Sequence, residues 1–74
     1  MVLFEKTCKC IKNAELPSKY DSGIILRYIK GREYRVDILA DLRVSLYKVY
    51  QNGTYNSYVS LNENEFNEYF EEIR

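Results

Sequence analysis

Apolar and polar residues alternate from Tyr34 to Leu46, whereas from Phe66 to Ile73 the apolar residues recur three and four apart. The first period is that of a strand with one buried face, the second that of a helix with one apolar stripe. Tyr34, Val36 and Ile38 fall between Glu33, Arg35 and Asp37, which predicts a half-buried strand over 33–39. Further strands are predicted over 3–11, 24–30, 44–50 and 54–61, where β-branched and aromatic residues concentrate. On the first of these, Phe4, Cys8 and Cys10 share one face, and Leu3, Thr7 and Ile11 the other. Residues 12–23 hold Asn13, Pro17, Ser18, Asp21, Ser22 and Gly23, so they read as a long loop of the kind that carries function. Gly31-Arg32 and residues 40–43 read as turns, and Asn52-Gly53 is the strongest hairpin signal in the chain.

The helix is predicted over 63–73. Asn62 is placed as its N-cap with Glu65 three residues on, and Leu61 and Phe66 are spaced for a hydrophobic staple. Glu63 and Glu65 suit the positive end of the helix dipole. Phe66, Tyr69, Phe70 and Ile73 form the stripe that packs on the sheet, leaving Asn64, Glu68, Glu71 and Glu72 to water. Burying four such side chains contributes on the order of 6–10 kcal/mol before entropy is subtracted. The expected fold is α+β, mainly β: one small antiparallel sheet or barrel of about five strands with a C-terminal amphipathic helix. Seventy-four residues make a single domain, 1–74, close to the lower limit for a self-sufficient core.

Charge refines this picture. Eleven basic side chains balance eleven acidic ones, so bulk attraction to nucleic acid or anionic membrane is not imposed. The distribution is uneven: residues 1–50 hold ten basic and six acidic side chains, net +4, and residues 51–74 one basic and five acidic, net −4. An acidic C-terminal element on a mildly basic body follows. No signal peptide is expected, since Met1–Phe4 runs straight into Glu5 and Lys6, and no apolar run nears the roughly 20 residues of a membrane span. Cys8 and Cys10, one residue apart, are badly placed for a mutual bridge, which favours a reduced, cytoplasmic protein.

Candidate chemistry is sparse. Histidine is absent, which removes Ser-His and Cys-His activation and His-based zinc sites. Cys8 and Cys10 supply two thiols and read as small core residues. Gly23, Gly31 and Gly53 are isolated turn residues rather than a phosphate loop, and the carboxylates crowd one helix face instead of a cleft. The expectation is a protein that is not an enzyme, with no catalytic residues, metal or cofactor.

Two surfaces remain as binding candidates. Tyr47, Tyr50, Tyr55 and Tyr58 bracket the Asn-Gly turn, and an exposed patch of them with Arg43 and Lys48 would suit a protein or stacked single-stranded bases. The same residues also serve as strand formers and cross-strand pairs, and Tyr47 and Tyr50 have opposite parity, as do Tyr55 and Tyr58. The second surface is the row of carboxylates ending in Glu68, Glu71 and Glu72, which could occupy a basic groove or simply form a solvated face. Basic residues from Lys6 to Arg35 are interleaved with Glu5, Glu15 and Glu33, short of a nucleic-acid footprint.

The stretch from Ile24 through Gly31 to Tyr34 and Val36, with the long loop before it, resembles small SH3-like barrels over residues 4–61. Lys9-Cys10-Ile11-Lys12-Asn13 together with Gly31–Val36 also resembles short phage proteins of low-GC bacteria, and the Tyr-, Asn-, Lys- and Ile-rich composition fits an AT-rich genome. The chain departs from peptide-binding SH3 domains in having no tryptophan, one aromatic (Tyr20) in the long loop, and a closing helix in place of a final strand. Proline-rich peptide recognition is therefore not carried over. The resemblance implies a cytoplasmic, non-enzymatic interaction module, a phage or mobile-element accessory protein that binds and inhibits a bacterial host protein such as a defence factor. A single-stranded nucleic-acid binder using sheet tyrosines is the second expectation and a self-associating subunit, such as a homodimer, the third; no membrane partner is expected.

Overall fold

The computed structural model describes residues 2–19, 23–40, 44–51 and 57–73. Its elements are β1 (Val2–Cys10), β2 (Ala14–Pro17), β3 (Ile25–Tyr28), β4 (Glu33–Ala40), β5 (Ser45–Tyr50), β6 (Tyr58–Leu61), α1 (Glu63–Tyr69) and β7 (Phe70–Glu72). Five strands form an antiparallel sheet in the order β6-β5-β4-β1-β7, and β2 and β3 form a separate two-stranded ribbon. This is the mainly-β α+β fold that the two hydrophobic periods predict. Among the described residues no ladder joins β6 to β7, so the sheet is open and the closed-barrel form of the expectation does not hold.

Alternation sets the two faces of the sheet. Cys8, Tyr34, Val36, Val49, Val59 and Leu61 point to the inner face and are buried, and their registers match across β1, β4, β5 and β6. Over them pack the β2–β3 ribbon, through Ala14, Leu26 and Tyr28, and α1, through Phe66. The rings interlock: Tyr28 lies edge-on to Tyr34 at 4.9 Å and to Phe70 at 5.2 Å, while Phe66 stacks on Tyr47 at 4.3 Å. The Tyr28 hydroxyl donates to the Val49 carbonyl at 2.7 Å, so its one polar atom is satisfied where water is excluded. No helix among the described residues is long and apolar enough to cross a membrane.

Two elements differ from the sequence reading. Residues 12–23, read as loop, contain β2, which pairs Ala14 with Tyr28 and Pro17 with Ile25. Pro17 tolerates this because it ends a ribbon strand, where a missing N–H costs little. Two side-chain-to-backbone bonds tie the ribbon down: Asn13 Oδ1 accepts from the Lys30 N–H at 2.7 Å, and Gln51 Nε2 donates to the Arg27 carbonyl at 3.0 Å. Between ribbon and β4, Gly31 sits at φ +93°, a conformation that favours glycine over any residue with a Cβ.

The second difference is at the end of the chain. The helix starts as predicted, with Asn62 Oδ1 accepting from the Glu65 N–H at 2.8 Å and Glu65 Oε1 accepting from the Asn62 N–H at 3.2 Å. It stops at Tyr69 rather than reaching residue 73, because Phe70 turns to extended backbone at φ −138°, ψ 160°. The following residues pair with the free edge of β1, Cys10 opposite Phe70 and Cys8 opposite Glu72. A helix carried to 73 would leave that edge of β1 with unpaired amides and carbonyls, which the strand satisfies. The chain thus ends in a helix followed by a short strand, where a helix in place of a final strand was expected. Phe70 is 1 % exposed and Ile73 38 %, so only the first belongs to the core. The remaining strand predictions agree to within a few residues; Thr54–Asn56 and the Asn52-Gly53 turn lie outside the described residues.

Candidate interaction surfaces

Among the solvent-open depressions of the described surface, one of about 450 Å³ is bordered by Asn13, Glu15, Arg27 and Ile29 and another of about 730 Å³ by Glu5, Lys6, Glu33 and Glu72. Glu15 and Arg27 pair across the first at 3.3 Å, and Lys6 and Glu72 across the second at 3.4 Å. Among the described residues no cluster of three or more cysteines and carboxylates is placed to hold a metal ion. Cys8 and Cys10 are fully buried; the Cys10 thiol donates to the Lys12 carbonyl at 3.0 Å, and burial pushes the Cys8 thiol up to about 12. A thiol held neutral in this way is a poor nucleophile and a poor metal ligand.

The candidate tyrosines divide by parity. Tyr47 faces inward, 9 % exposed and stacked on Phe66, where it completes the core. Tyr50 and Tyr58 stand opposite each other on the outer face, with ring centroids 5.4 Å apart. Tyr50 is 8 % exposed and donates to Asp37 Oδ2 at 3.0 Å; burial first, and then this bond, push its phenol up to about 12. Tyr58 is half-buried, with the Lys48 ammonium 5.3 Å from its ring. Tyr55 and Arg43 lie outside the described residues.

Around Tyr50 the outer face carries a charge network that alternation alone does not reveal. Arg35 bridges Glu5 at 3.0 Å and Asp37 at 3.2 Å, and its guanidinium lies 5.6 Å from the Tyr50 ring. Asp37 is 7 % exposed, and that burial is compensated by the Arg35 cation and the Tyr50 hydroxyl.

The carboxylates occupy a different margin. Glu68 is on α1, whereas Glu71 and Glu72 are on β7 and not on a helix; all three are exposed. Glu72 lies on the inward side of β7 near Lys6, and Glu71 opposite Lys9 on the outer side. With Glu63 at the start of α1 they belong to one segment of chain, running from the helix to the β7 edge. Compared with protein-family models, curated proteins and solved structures, the chain matches none.

Proposed function

We propose that this protein is a non-enzymatic binding module that engages a basic partner protein through the carboxylates of the α1–β7 margin. The observation that carries the reading is that Glu63, Glu68 and Glu71 are all exposed on one continuous segment that ends as an edge strand. A three-residue edge with acidic side chains offers both charge and backbone groups to a partner. The narrower reading, an accessory protein of a phage or mobile element that inhibits a bacterial host protein in the host cytoplasm, rests on composition. Likeness to SH3-like barrels belongs to the same proposal, supported by the long excursion between β1 and β4 and by the short final strand.

The test is capture of partners from a bacterial lysate by the wild-type chain and by Glu68→Lys/Glu71→Lys/Glu72→Lys. These side chains are exposed, and the Lys6–Glu72 pair is a surface pair worth at most about 1 kcal/mol, so the variant is expected to fold. Binding should fall at least about tenfold, with an association rate that drops steeply as salt rises. Equal retention of the same proteins by the folded variant rejects this margin. Single-stranded nucleic acid is the second reading, favoured by Lys48 and Arg35 over the rings of Tyr58 and Tyr50. It ranks lower because Tyr50 is buried and Arg35 is already paired with two carboxylates.

A further inference from the structure

At the end of the sheet away from β7, the outer face is apolar. Leu3 on β1, Leu39 on β4 and Leu46 on β5 stand in one cross-strand row. Leu3 is 53 % exposed and Leu46 37 %, and Val44, just before β5, is 62 % exposed. The next outward row places Glu5, Asp37 and Lys48 on the same three strands. We propose that this end of the outer face is the contact between two copies of the chain, packed face to face about a two-fold axis running along β4.

The register selects a second copy as the occupant. An axis along β4 exchanges β1 with β5, so Leu3 meets Leu46 of the second copy and Leu39 meets its own mate. In the neighbouring row Glu5, which is exposed and also bridges Arg35 of its own chain at 3.0 Å, then faces Lys48 of the second copy, and the pair occurs twice. Asp37 meets its own mate on the axis, but its charge is already held by Arg35 and the Tyr50 hydroxyl. The apolar row thus meets its own copy and the charged row pairs opposite signs at its flanks, and a net charge of zero gives the copies no bulk repulsion.

The contact is modest in size. The contact spans three strands about 4.8 Å apart and two outward rows about 6.8 Å apart, on the order of 200 Å² in projection, within a molecule measuring 30 × 27 × 21 Å. That is below the size of stable specific interfaces, so a weak, reversible dimer with a dissociation constant on the order of 0.1–1 mM is expected. Leu3 and Lys9, which pairs with Glu71, are six residues apart on β1, roughly 20 Å. The self-contact and the acidic margin can therefore fail independently.

Sedimentation velocity from about 20 μM to 2 mM, a span chosen to bracket that constant, tests the dimer. The mass should move from monomer to dimer with concentration. Leu46→Glu and Leu3→Glu, both at exposed positions, should each raise the dissociation constant at least about 100-fold while keeping the wild-type circular dichroism spectrum. Glu5→Lys or Lys48→Glu alone should weaken association about tenfold, and the two combined should return it to within about threefold of wild type. Monomer mass at every concentration overturns the proposal. So does a dimer that Leu46→Glu leaves intact, or charge variants that the paired exchange fails to rescue.

Discussion

Tyr28→Ala is expected to lower the free energy of unfolding by about 3–5 kcal/mol, the range for deleting a large buried ring. Tyr28 is 1 % exposed and joins the β2–β3 ribbon to the sheet, edge-on to Tyr34 and Phe70 and bonded to the Val49 carbonyl. A domain of this length has a total stability of only about 4–11 kcal/mol, so the variant should lose between roughly a quarter and all of it. Tyr28→Phe separates ring from hydroxyl: it keeps the packing and should cost about 1–2 kcal/mol for the lost hydrogen bond. Urea titrations of the two variants followed by circular dichroism measure both. A Tyr28→Ala variant within 1 kcal/mol of wild type would mean that the ribbon is not packed on the sheet.

The second large effect separates Phe70 from Ile73. Phe70→Ala should cost about 3–5 kcal/mol because it empties a fully enclosed site between Tyr28 and Phe66. Ile73→Ala should cost less than about 1 kcal/mol, since Ile73 lies past β7 and is over a third exposed. An uninterrupted helix over 63–73 would put both on one buried stripe and make both substitutions severe. The contrast in urea midpoint between the two variants therefore reports which element the end of the chain forms. Comparable losses at the two positions would restore the helical reading.

Phe70 also shows how far the residues alone can be read. As the i+4 neighbour of Phe66 it faces inward on a helix, and as the partner of Cys10 it faces inward on a strand. Its burial follows from either period, which hides the change of element from a periodicity argument. Ile73 is where the two periods disagree, and the sequence reading buries it. What decides the outcome is long-range: the free edge of β1, some sixty positions earlier, needs a partner. The strands with clean alternation were legible for the opposite reason, since a one-residue slip would turn Tyr34, Val36 and Ile38 out of the core.

The surfaces divide the same way. Parity alone separates Tyr47 from Tyr50, and the structure places the first in the core and the second on the outer face. It does not reveal that Asp37, on the polar side of its strand, sinks beneath Arg35 and Tyr50, because that depends on the pairing of β4 with β5. Nor does any local pattern reveal the row of Leu3, Leu39 and Leu46, three residues that become neighbours only through the registers of two ladders. Four residues, Ala14 to Pro17, are too few for alternation to be recognised, and with Asn13 and Pro17 in the same stretch the chemistry points to a loop. The ribbon strand β2 was missed for that reason.

The last segment of the chain acts first as a lid over the core and then as an edge strand on β1. Nuclear Overhauser contacts from uniformly labelled protein test this most directly. The Lys9–Glu71 and Cys10–Phe70 pairings should give cross-strand contacts to β1, and the Ile73 amide, which donates to the Thr7 carbonyl at 2.9 Å, should exchange slowly with solvent. Helical contacts running unbroken from Phe66 to Ile73, with none to β1 and a rapidly exchanging Ile73 amide, would contradict it.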